Sequence, residues 1–291
     1  MTHQNSARHF PVLLALITAL FACKALKKEQ AEPAPSASAE AVSAPTDVKF
    51  TRAVPKPGTK IVGARTSTVK FTFNGKVFRE NTALDAALDV QASDDFRITK
   101  AALDIRDLNT VKQEGDGQEK RSVSPLAGSR FVVTRSDDGK LSALDSGGNK
   151  VPASQLKLIK DEFATVFEKD TTGEFLPDRP LKPGERFSPP SDAVLKMLGL
   201  KDDGKTLMDG IEFTLASAAP GVASFDVTMT MTQTIVAGLR LRAKLKGKID
   251  VRPEGSWLLD VDLKGPLEIL DRSGNQKGTG DLAVSAQQTY S

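Results

Sequence analysis

The most constraining feature of this sequence is an alternation of apolar and polar residues with a period of two. Between residues 225 and 235, aspartate and threonines separate most members of one apolar series: Phe225, Val227, Met229, Met231 and Ile235. Period two is the spacing of a β-strand, whose successive side chains point to opposite faces. One apolar and one polar face are typical of a half-buried antiparallel sheet. The sequence therefore predicts a sheet with one face in solvent.

Residues 239–251 repeat the alternation, with aliphatic side chains on one side and basic side chains on the other. Val236-Ala237-Gly238 suits a short hairpin loop between this segment and the preceding one. Closing that loop places Asp226 opposite Lys248. The register keeps every apolar residue on one face, which a slip of one residue would destroy.

A third alternating segment follows Pro253-Glu254-Gly255. Proline at the first position and glycine at the left-handed third position suit a three-residue hairpin loop. A loop of this length predicts Lys248 opposite Asp260 and Lys246 opposite Asp262. The C-terminal part of the chain is therefore expected to form a meander.

The N-terminal part carries strand signals that are less regular. Asn74-Gly75 predicts a tight hairpin, and Ser136-Asp137-Asp138-Gly139 predicts a second one. Helical spacing of apolar residues predicts one main helix at about 153–169 and a shorter helix at about 189–198. For the shorter helix, Ser188 is the expected cap, Pro189 lies in the first turn, and Gly199 is the stop.

These signals define the predicted fold class. We expect a mainly β (α+β) domain over residues 49–291, in which two meander halves form a curved antiparallel sheet or incomplete β-barrel. The main helix partly covers this sheet. Two subdomains, 49–152 and 200–291, are the alternative division of the same elements.

The N-terminus has the pattern of a secretory signal over residues 1–22. The apolar run 10–21 is too short to span a bilayer about 30 Å thick but suits a signal core. Leu20-Phe21-Ala22-Cys23 follows at once and resembles the bacterial lipobox. That resemblance implies cleavage before Cys23 and attachment of diacylglycerol to its thiol. A soluble secreted protein with a chance cysteine, or a short buried helix, is the alternative.

Residues 23–48 are expected to connect the lipidated Cys23 to the folded domain. Most of this segment is rich in alanine, serine and proline and has almost no large apolar side chain. Such a composition does not bury enough surface to offset the entropy of ordering, so we predict a disordered tether. Lys24 replaces the aspartate that retains enteric lipoproteins at the inner membrane. By that analogy the protein is expected at the outer membrane of a bacterial cell envelope.

Few residues are available for chemistry after the signal is removed. His3 and His9 are the only histidines, and Cys23 is the only cysteine. We therefore expect no catalytic residue, no metal site and no cofactor, because His-assisted and thiol chemistry lose their usual groups. Ser154 and Lys157 have the spacing of a serine–lysine pair, and an enzyme using them or paired carboxylates is the alternative.

A row of basic residues is the most distinctive predicted surface feature. Five of them alternate along one strand: Arg240, Arg242, Lys244, Lys246 and Lys248. Because the predicted register neutralises the lysines at one end, Arg240, Arg242 and Lys244 form the candidate surface for an anionic lipid or polysaccharide. A solvated sheet face is the alternative. Nucleic acid is not expected, since the net charge is only +3.

Residues 176–184, LPDRPLKPG, form a proline-rich crossover between the two predicted sets of strands. Together with the lipobox and tether, this crossover resembles uncharacterised bacterial envelope lipoproteins, and more distantly lipoprotein-carrier folds. The lipobox, the tether and the missing catalytic residue types predict a non-catalytic, lipid-anchored binding or scaffold module, and the sequence identifies no protein partner. A carrier of lipid or lipoprotein acyl chains is the alternative, with Met229 and Met231 lining its cavity.

Overall fold

The computed structural model describes residues 47–169, 172–198, 200, 204–235 and 238–291. Two α-helices and two 3-10 turns occur in this part of the chain: α1 (Ala153–Phe163), α2 (Ser191–Met197), Ala164–Phe167 and Thr172–Phe175. The strands are β1 (Thr51–Arg52), β2 (Lys60–Phe73), β3 (Lys76–Ser93), β4 (Ile98–Glu114), β5 (Lys120–Val123), β6 (Ser129–Arg135), β7 (Leu141–Asp145), β8 (Arg186–Phe187), β9 (Thr206–Ala219), β10 (Val222–Thr234), β11 (Arg240–Arg252), β12 (Glu254–Gly255), β13 (Trp257–Leu270) and β14 (Gln276–Tyr290).

One antiparallel sheet of 12 strands dominates the fold. Its order is β7-β6-β4-β3-β2-β14-β13-β11-β10-β9-β8, and β5 also pairs with β4. The strand β14 joins the two meander halves, because it pairs with β13 on one side and with β2 on the other. The sheet is curved but its edge strands do not pair with each other, so it does not close into a barrel. The predicted fold class, mainly β with two helices, is confirmed.

The sheet has one apolar face, which we call the inner face, and one polar outer face. Residues paired directly opposite each other share a face. One inner row crosses seven strands: Phe225, Ile249, Val261, Ala286, Arg65, Leu84 and Leu108. All seven residues are buried, and Arg65 is the only charged one.

Two apolar cores lie on the inner face. The larger core belongs to the C-terminal strands and is covered by α2 and the turn Thr172–Phe175; the rings of Phe175, Phe213 and Phe225 pack within it. The smaller core belongs to the N-terminal strands and is covered by α1 and the turn that follows it, through Phe163 and Phe167. The inner face therefore carries two packed regions with the central strands between them.

Glycines lie inside the C-terminal strands where neighbouring backbones approach closely. A Cβ atom added to Gly265 of β13 would lie 1.8 Å from the carbonyl oxygen of Lys244, and one added to Gly247 of β11 would lie 1.8 Å from that of Asp262. Gly278 and Gly280 of β14 are similarly confined by β2. Glycine at such positions permits a close approach that any side chain would prevent.

Several predicted turns and registers are confirmed. Asn74 and Gly75 both have positive φ, 50° and 75°, as a tight two-residue hairpin requires. The hairpin places Phe71 opposite Phe78, and their rings stack with centroids 5.0 Å apart. The predicted pairing of Asp226 with Lys248 in β10 and β11 is also found.

The predicted register between β11 and β13 is wrong by two residues. Lys248 lies opposite Asp262 rather than Asp260, and Lys246 lies opposite Lys264 rather than Asp262. A shift of two preserves the faces, so the alternation of apolar residues could not reveal the error. The shift changes which charges meet across the strands.

Two local features cause this shift. The hairpin loop contains four residues, since Arg252 pairs with Trp257, and Ser256 adopts a left-handed conformation with φ 56°. A bulge between Asp250 and Val251 then displaces the register again. Neither a left-handed serine nor a bulge in an alternating segment has a strong sequence signal.

Both helices are shorter than predicted. The first ends at Phe163, whose φ of −128° and ψ of 3° leave the α region before the 3-10 turn begins. The second begins at Ser191 after Pro190, without a side-chain cap. Pro189 does not lie in its first turn, because the residue before a proline avoids the α region. Gly199, the predicted stop, lies outside the described residues.

A small clamp holds the start of the described chain against the sheet. Strand β1 pairs in parallel with β12, Thr51 opposite Glu254. The indole nitrogen of Trp257 donates a hydrogen bond to the carbonyl oxygen of Ala53 at 2.6 Å. The Trp257 ring stacks on Tyr290, with centroids 4.7 Å apart. These are the only tryptophan and tyrosine of the chain.

The signal (1–22), Cys23 and nearly all of the tether lie outside the described residues. Val48 already belongs to the fold, because it forms a β-bridge with Leu181 of the proline-rich crossover. In the described part of the chain, no helix has the length and apolar character needed to cross a membrane.

Candidate binding surfaces of the sheet

A strip of polar residues separates the two cores on the inner face, and Arg65 is its most buried member. Arg65 lies on β2, next to Ala286 of β14 and Leu84 of β3, and only 2% of it is exposed. Burial lowers the pKa of Arg65 to about 10, so it stays charged at neutral pH. The sheet thus holds a desolvated positive charge at its centre.

Helix α1 brings a carboxylate towards this charge. Burial raises the pKa of Glu162, while its attraction to Arg65 opposes that shift. Among the described residues, the buried Oε2 atom of Glu162 accepts no hydrogen bond. The negative charge of Glu162 is therefore only partly compensated by the residues around it.

A second charged pair lies further along the same strip. Lys112 of β4 is 3.4 Å from Glu80 of β3, and burial raises the pKa of Glu80 although Lys112 opposes the shift. The buried Oε1 atom of Glu80 accepts no hydrogen bond within the described part of the chain. Between this pair and Arg65 lie the hydroxyls of Thr82 and Thr110, 3.4 Å apart.

We call Arg65, Glu80, Lys112 and Glu162 the inner charged strip. It provides two positive and two incompletely satisfied negative groups with apolar cores on both sides. Chemically, this arrangement suits a ligand that has an anionic head group and an apolar body. Sequence reasoning missed Arg65, although the Asn74-Gly75 hairpin and the alternation of β2 place it on the inner face.

The basic surface predicted from the sequence is only partly present. Arg242 is paired with Glu268, whose Oε2 atom accepts a hydrogen bond from its Nε atom at 2.7 Å. Arg240 donates to the carbonyl oxygen of Asp271 at 3.5 Å. Lys244 is exposed and forms no ion pair with any described residue. The predicted trio therefore does not act as one free surface, because its arginines have partners on neighbouring residues.

The corrected register assembles a different basic surface on the outer face. Lys246 and Lys264 lie directly opposite each other, and Lys244 is the next outer residue of β11. Two strands away, Lys70 of β2 lies opposite Arg79 of β3. We call these five exposed residues the outer basic block. The sequence did not predict this lysine pair, because the predicted register placed Lys246 opposite Asp262 and not opposite Lys264.

Lys157 of the predicted serine–lysine pair and the carboxylate of Asp271 both have partners among the described residues. Lys157 pairs with Asp161 one turn later, at 2.5 Å on the exposed side of α1. The Asp271 carboxylate accepts hydrogen bonds from the backbone of Ser273 and Asn275 and so closes the turn before β14. Over the described ranges, no three histidine, cysteine, aspartate or glutamate residues group as metal ligands would.

No protein-family model and no curated protein matches the chain. Among solved structures it is similar to lipovitellin, studied for its lipid–protein interactions, with 10% identity and a TM-score of 0.38 over 80% of this chain and 25% of that one. It thus spans about a quarter of the lipovitellin chain. DynF, from the dynemicin biosynthesis pathway of Micromonospora chersina, has 10% identity and a TM-score of 0.21, covering 90% and 92% of the two chains. A DUF1329 family protein from Desulfovibrio piger has 8% identity and a TM-score of 0.16, covering 80% and 84%.

Proposed function

We propose that the protein is a lipid-anchored, non-catalytic binding protein of the bacterial outer membrane that carries an amphiphile such as an acyl chain on the inner face of its sheet. The observation that carries this proposal is the buried charge of Arg65 in a row of apolar residues that crosses seven strands. A scaffold needs no charge at that position. A carrier of anionic amphiphiles uses it to hold the head group.

Electrostatics support this role for the inner charged strip. A carboxylate or phosphate bound at Arg65 would form charge-assisted hydrogen bonds in a site screened from water, where such bonds are strong. Glu162 occupies that neighbourhood in the unliganded protein, and burial disfavours its ionised form. An incoming anionic group would therefore compete with a carboxylate that is itself poorly solvated.

The covering elements indicate how an acyl chain would enter. Helix α1 has 11 residues and continues as a 3-10 turn, so its cover over the N-terminal core is short. Its buried residues Ile159 and Phe163 pack on that core, and Glu162 faces Arg65. Displacing α1 would expose apolar side chains and remove Glu162 in the same movement. The site would thus open towards the ligand's chain and head group together.

The binding test uses the processed chain, which here means residues 23–291 with Cys23→Ser, expressed without the signal. Co-purified lipid is removed, and the protein is titrated with a fluorescent fatty acid. We expect saturable binding that Arg65→Met weakens about 10-fold or more, since a hydrogen bond to a charged group contributes about 1.5–3 kcal/mol. Glu162→Gln removes the competing carboxylate and is expected to tighten binding. Arg130→Met is the matched control, because Arg130 is exposed and pairs with Asp104 on β4.

Two results would count against a carrier. One is the absence of saturable binding of the fatty acid by the parent chain. The other is an affinity for the fatty acid that is the same in the parent chain, in Glu162→Gln and in Arg65→Met. Glu162→Gln keeps the test valid if Arg65→Met does not fold. A scaffold would bind no fatty acid in any of these variants.

The anchor is tested separately in cells. We expect a palmitate analogue to label the parent protein and not Cys23→Ala, and the variant to leave the membrane fraction. Labelling of Cys23→Ala would show that Cys23 is not the site of lipid attachment. That result would not affect the fatty-acid binding test.

A further inference from the structure

We propose that the outer basic block docks the outer face of the sheet flat on an anionic lipid bilayer. This docking proposal rests on the proposed lipid anchor in one respect, because the anchor would keep the domain near a membrane. The block consists of Lys70, Arg79, Lys244, Lys246 and Lys264, contributed by four strands of the sheet. It is distinct from the ligand site, since it lies on the opposite face.

The lysine pair at the centre of the block is unfavourable for the fold by itself. Lys246 and Lys264 lie directly opposite each other, and like charges in this position destabilise a sheet. Their other cross-strand neighbours are Thr228 and Ala283, neither of which is acidic. The described residues offer no ion pair to either lysine. An external anion would supply the compensation that the fold lacks.

The other three basic residues extend this charge over the centre of the outer face. Lys244 lies beside Thr230, and Lys70 lies beside Arg79. From β11 to β3 the block is about 20 Å wide, given a strand spacing of about 4.8 Å. The one acidic residue within it is Asp281, which lies opposite Lys70. Four net positive charges therefore share one continuous area.

In the adjacent rows, acidic residues equal or outnumber the basic ones and so set the limits of the block. On one side, Lys248 lies between Asp226 and Asp262. On the other side, Arg242 is paired with Glu268. The excess of positive charge is thus a property of these central rows and not of the whole outer face.

A bilayer fits this surface better than a sugar polymer does. The residues beside the lysine pair are small or hydroxylated, and the block contains no aromatic side chain on which a sugar ring would stack. Asp47 is 24 residues after Cys23, so an anchor would hold the domain within about 80 Å of lipid head groups. Each basic residue near an anionic surface strengthens attachment additively.

The test measures sedimentation of the processed Cys23→Ser chain with vesicles of phosphatidylcholine alone or mixed with phosphatidylglycerol. We expect binding only to the anionic vesicles and a steep loss of binding with added salt. The combined variant Lys244→Gln, Lys246→Gln, Lys264→Gln is expected to bind about 100-fold more weakly, at about 1 kcal/mol per charge. The matched control carries Lys120→Gln, Lys140→Gln and Lys157→Gln, which cause the same change in net charge.

Thermal unfolding of both triple variants separates docking from folding. We expect the block variant to melt no lower than the parent chain, because it loses a like-charge pair. Equal binding to neutral and anionic vesicles, or equal loss in block and control variants, would overturn the proposal. So would tighter binding to an anionic polysaccharide than to the anionic vesicles. Because the chain carries no acyl group, failure of the anchor would not affect these outcomes.

Discussion

The two halves of the sheet differ in how their strands use glycine. The C-terminal strands β11, β13 and β14 contain glycines that lie against neighbouring backbone: Gly247, Gly265, Gly278 and Gly280. The N-terminal strands β3, β4, β6 and β7 contain no glycine, although bulges occur in both halves: between β3 and β4, between β9 and β10, and between β11 and β13. Bulges bend a strand by adding a residue, whereas glycines allow backbones to approach without changing the register.

This difference indicates where each half resists substitution. In the C-terminal half, the absence of four side chains is itself required for strand packing. In the N-terminal half, inner positions of β3 carry side chains, as at Ala86 and Leu84, and packing depends on the cover of α1. The halves should therefore respond differently to equally small changes.

The largest effect is expected from deleting residues 276–291. The deletion removes β14, whose pairings with β13 and β2 join the halves. The strands β13 and β2 would each lose one of their two neighbours, and buried residues of the larger core such as Leu282 and Val284 would be lost. We expect no cooperative unfolding transition in circular dichroism. If the shortened chain kept a transition near that of the parent, each half would be independently stable.

A smaller but still severe effect is expected from Gly265→Ala. The new Cβ atom would lie 1.8 Å from a backbone oxygen of β11, so two strands must separate. We expect a loss of more than about 4 kcal/mol in the free energy of unfolding, as for other severe steric changes. The matched control is Gly147→Ala in the turn after β7, where the nearest atom is the flexible side-chain nitrogen of Asn149 at 3.1 Å. Similar losses in urea unfolding would refute the proposed difference between the halves.

The smallest effect is expected from Glu162→Gln between the halves. Because the folded protein raises the pKa of Glu162, this group favours folding below its ordinary pKa of 4.5 and loses that contribution as pH rises through the raised value. The glutamine variant should therefore be more stable above that range, on the order of 1 kcal/mol, with a flatter pH profile.

Glu185→Gln is a control with the opposite sign. A backbone hydrogen bond from Lys182 and the side chain of Arg179 hold the pKa of Glu185 below its usual value. Its contribution is present above pH 4.5 and is lost in acid, so this variant should lose stability at neutral pH. Chemical denaturation at several pH values measures both variants, and shifts of the same sign would contradict the assignment.

Much of the fold could be predicted because the chain has strong local signals. Period-two alternation and the Asn74-Gly75 turn identified the strands, and short turns indicated an antiparallel meander. The register between β11 and β13 could not be predicted, because Ser256 adopts a left-handed conformation for which serine has little preference. The predicted start of α2 is two residues too early, because Pro190 disfavours the α region for Pro189.

The candidate surfaces were harder to predict than the strands. The composition of β11 indicated a basic outer surface, but the residues that lack acidic partners depend on the register, and Lys264 comes from another strand. Arg65 was overlooked because one arginine in an alternating strand is usually exposed. The alternation of β2 from the Asn74-Gly75 hairpin indicates the inner face, and the pairing of β2 with β14 and β3 shows that Arg65 lies there.

The clamp around Trp257 determines how the domain would bear mechanical load. A pull from the side of residue 47 first meets the two backbone hydrogen bonds between Val48 and Leu181. The load then passes to β1, where the backbone of Thr51 donates a hydrogen bond to Pro253 and that of Ala53 donates one to Gly255 of the β11–β13 hairpin. The long strands follow both contacts in the chain, so tension applied through the proposed anchor would detach this N-terminal segment before it reached either core.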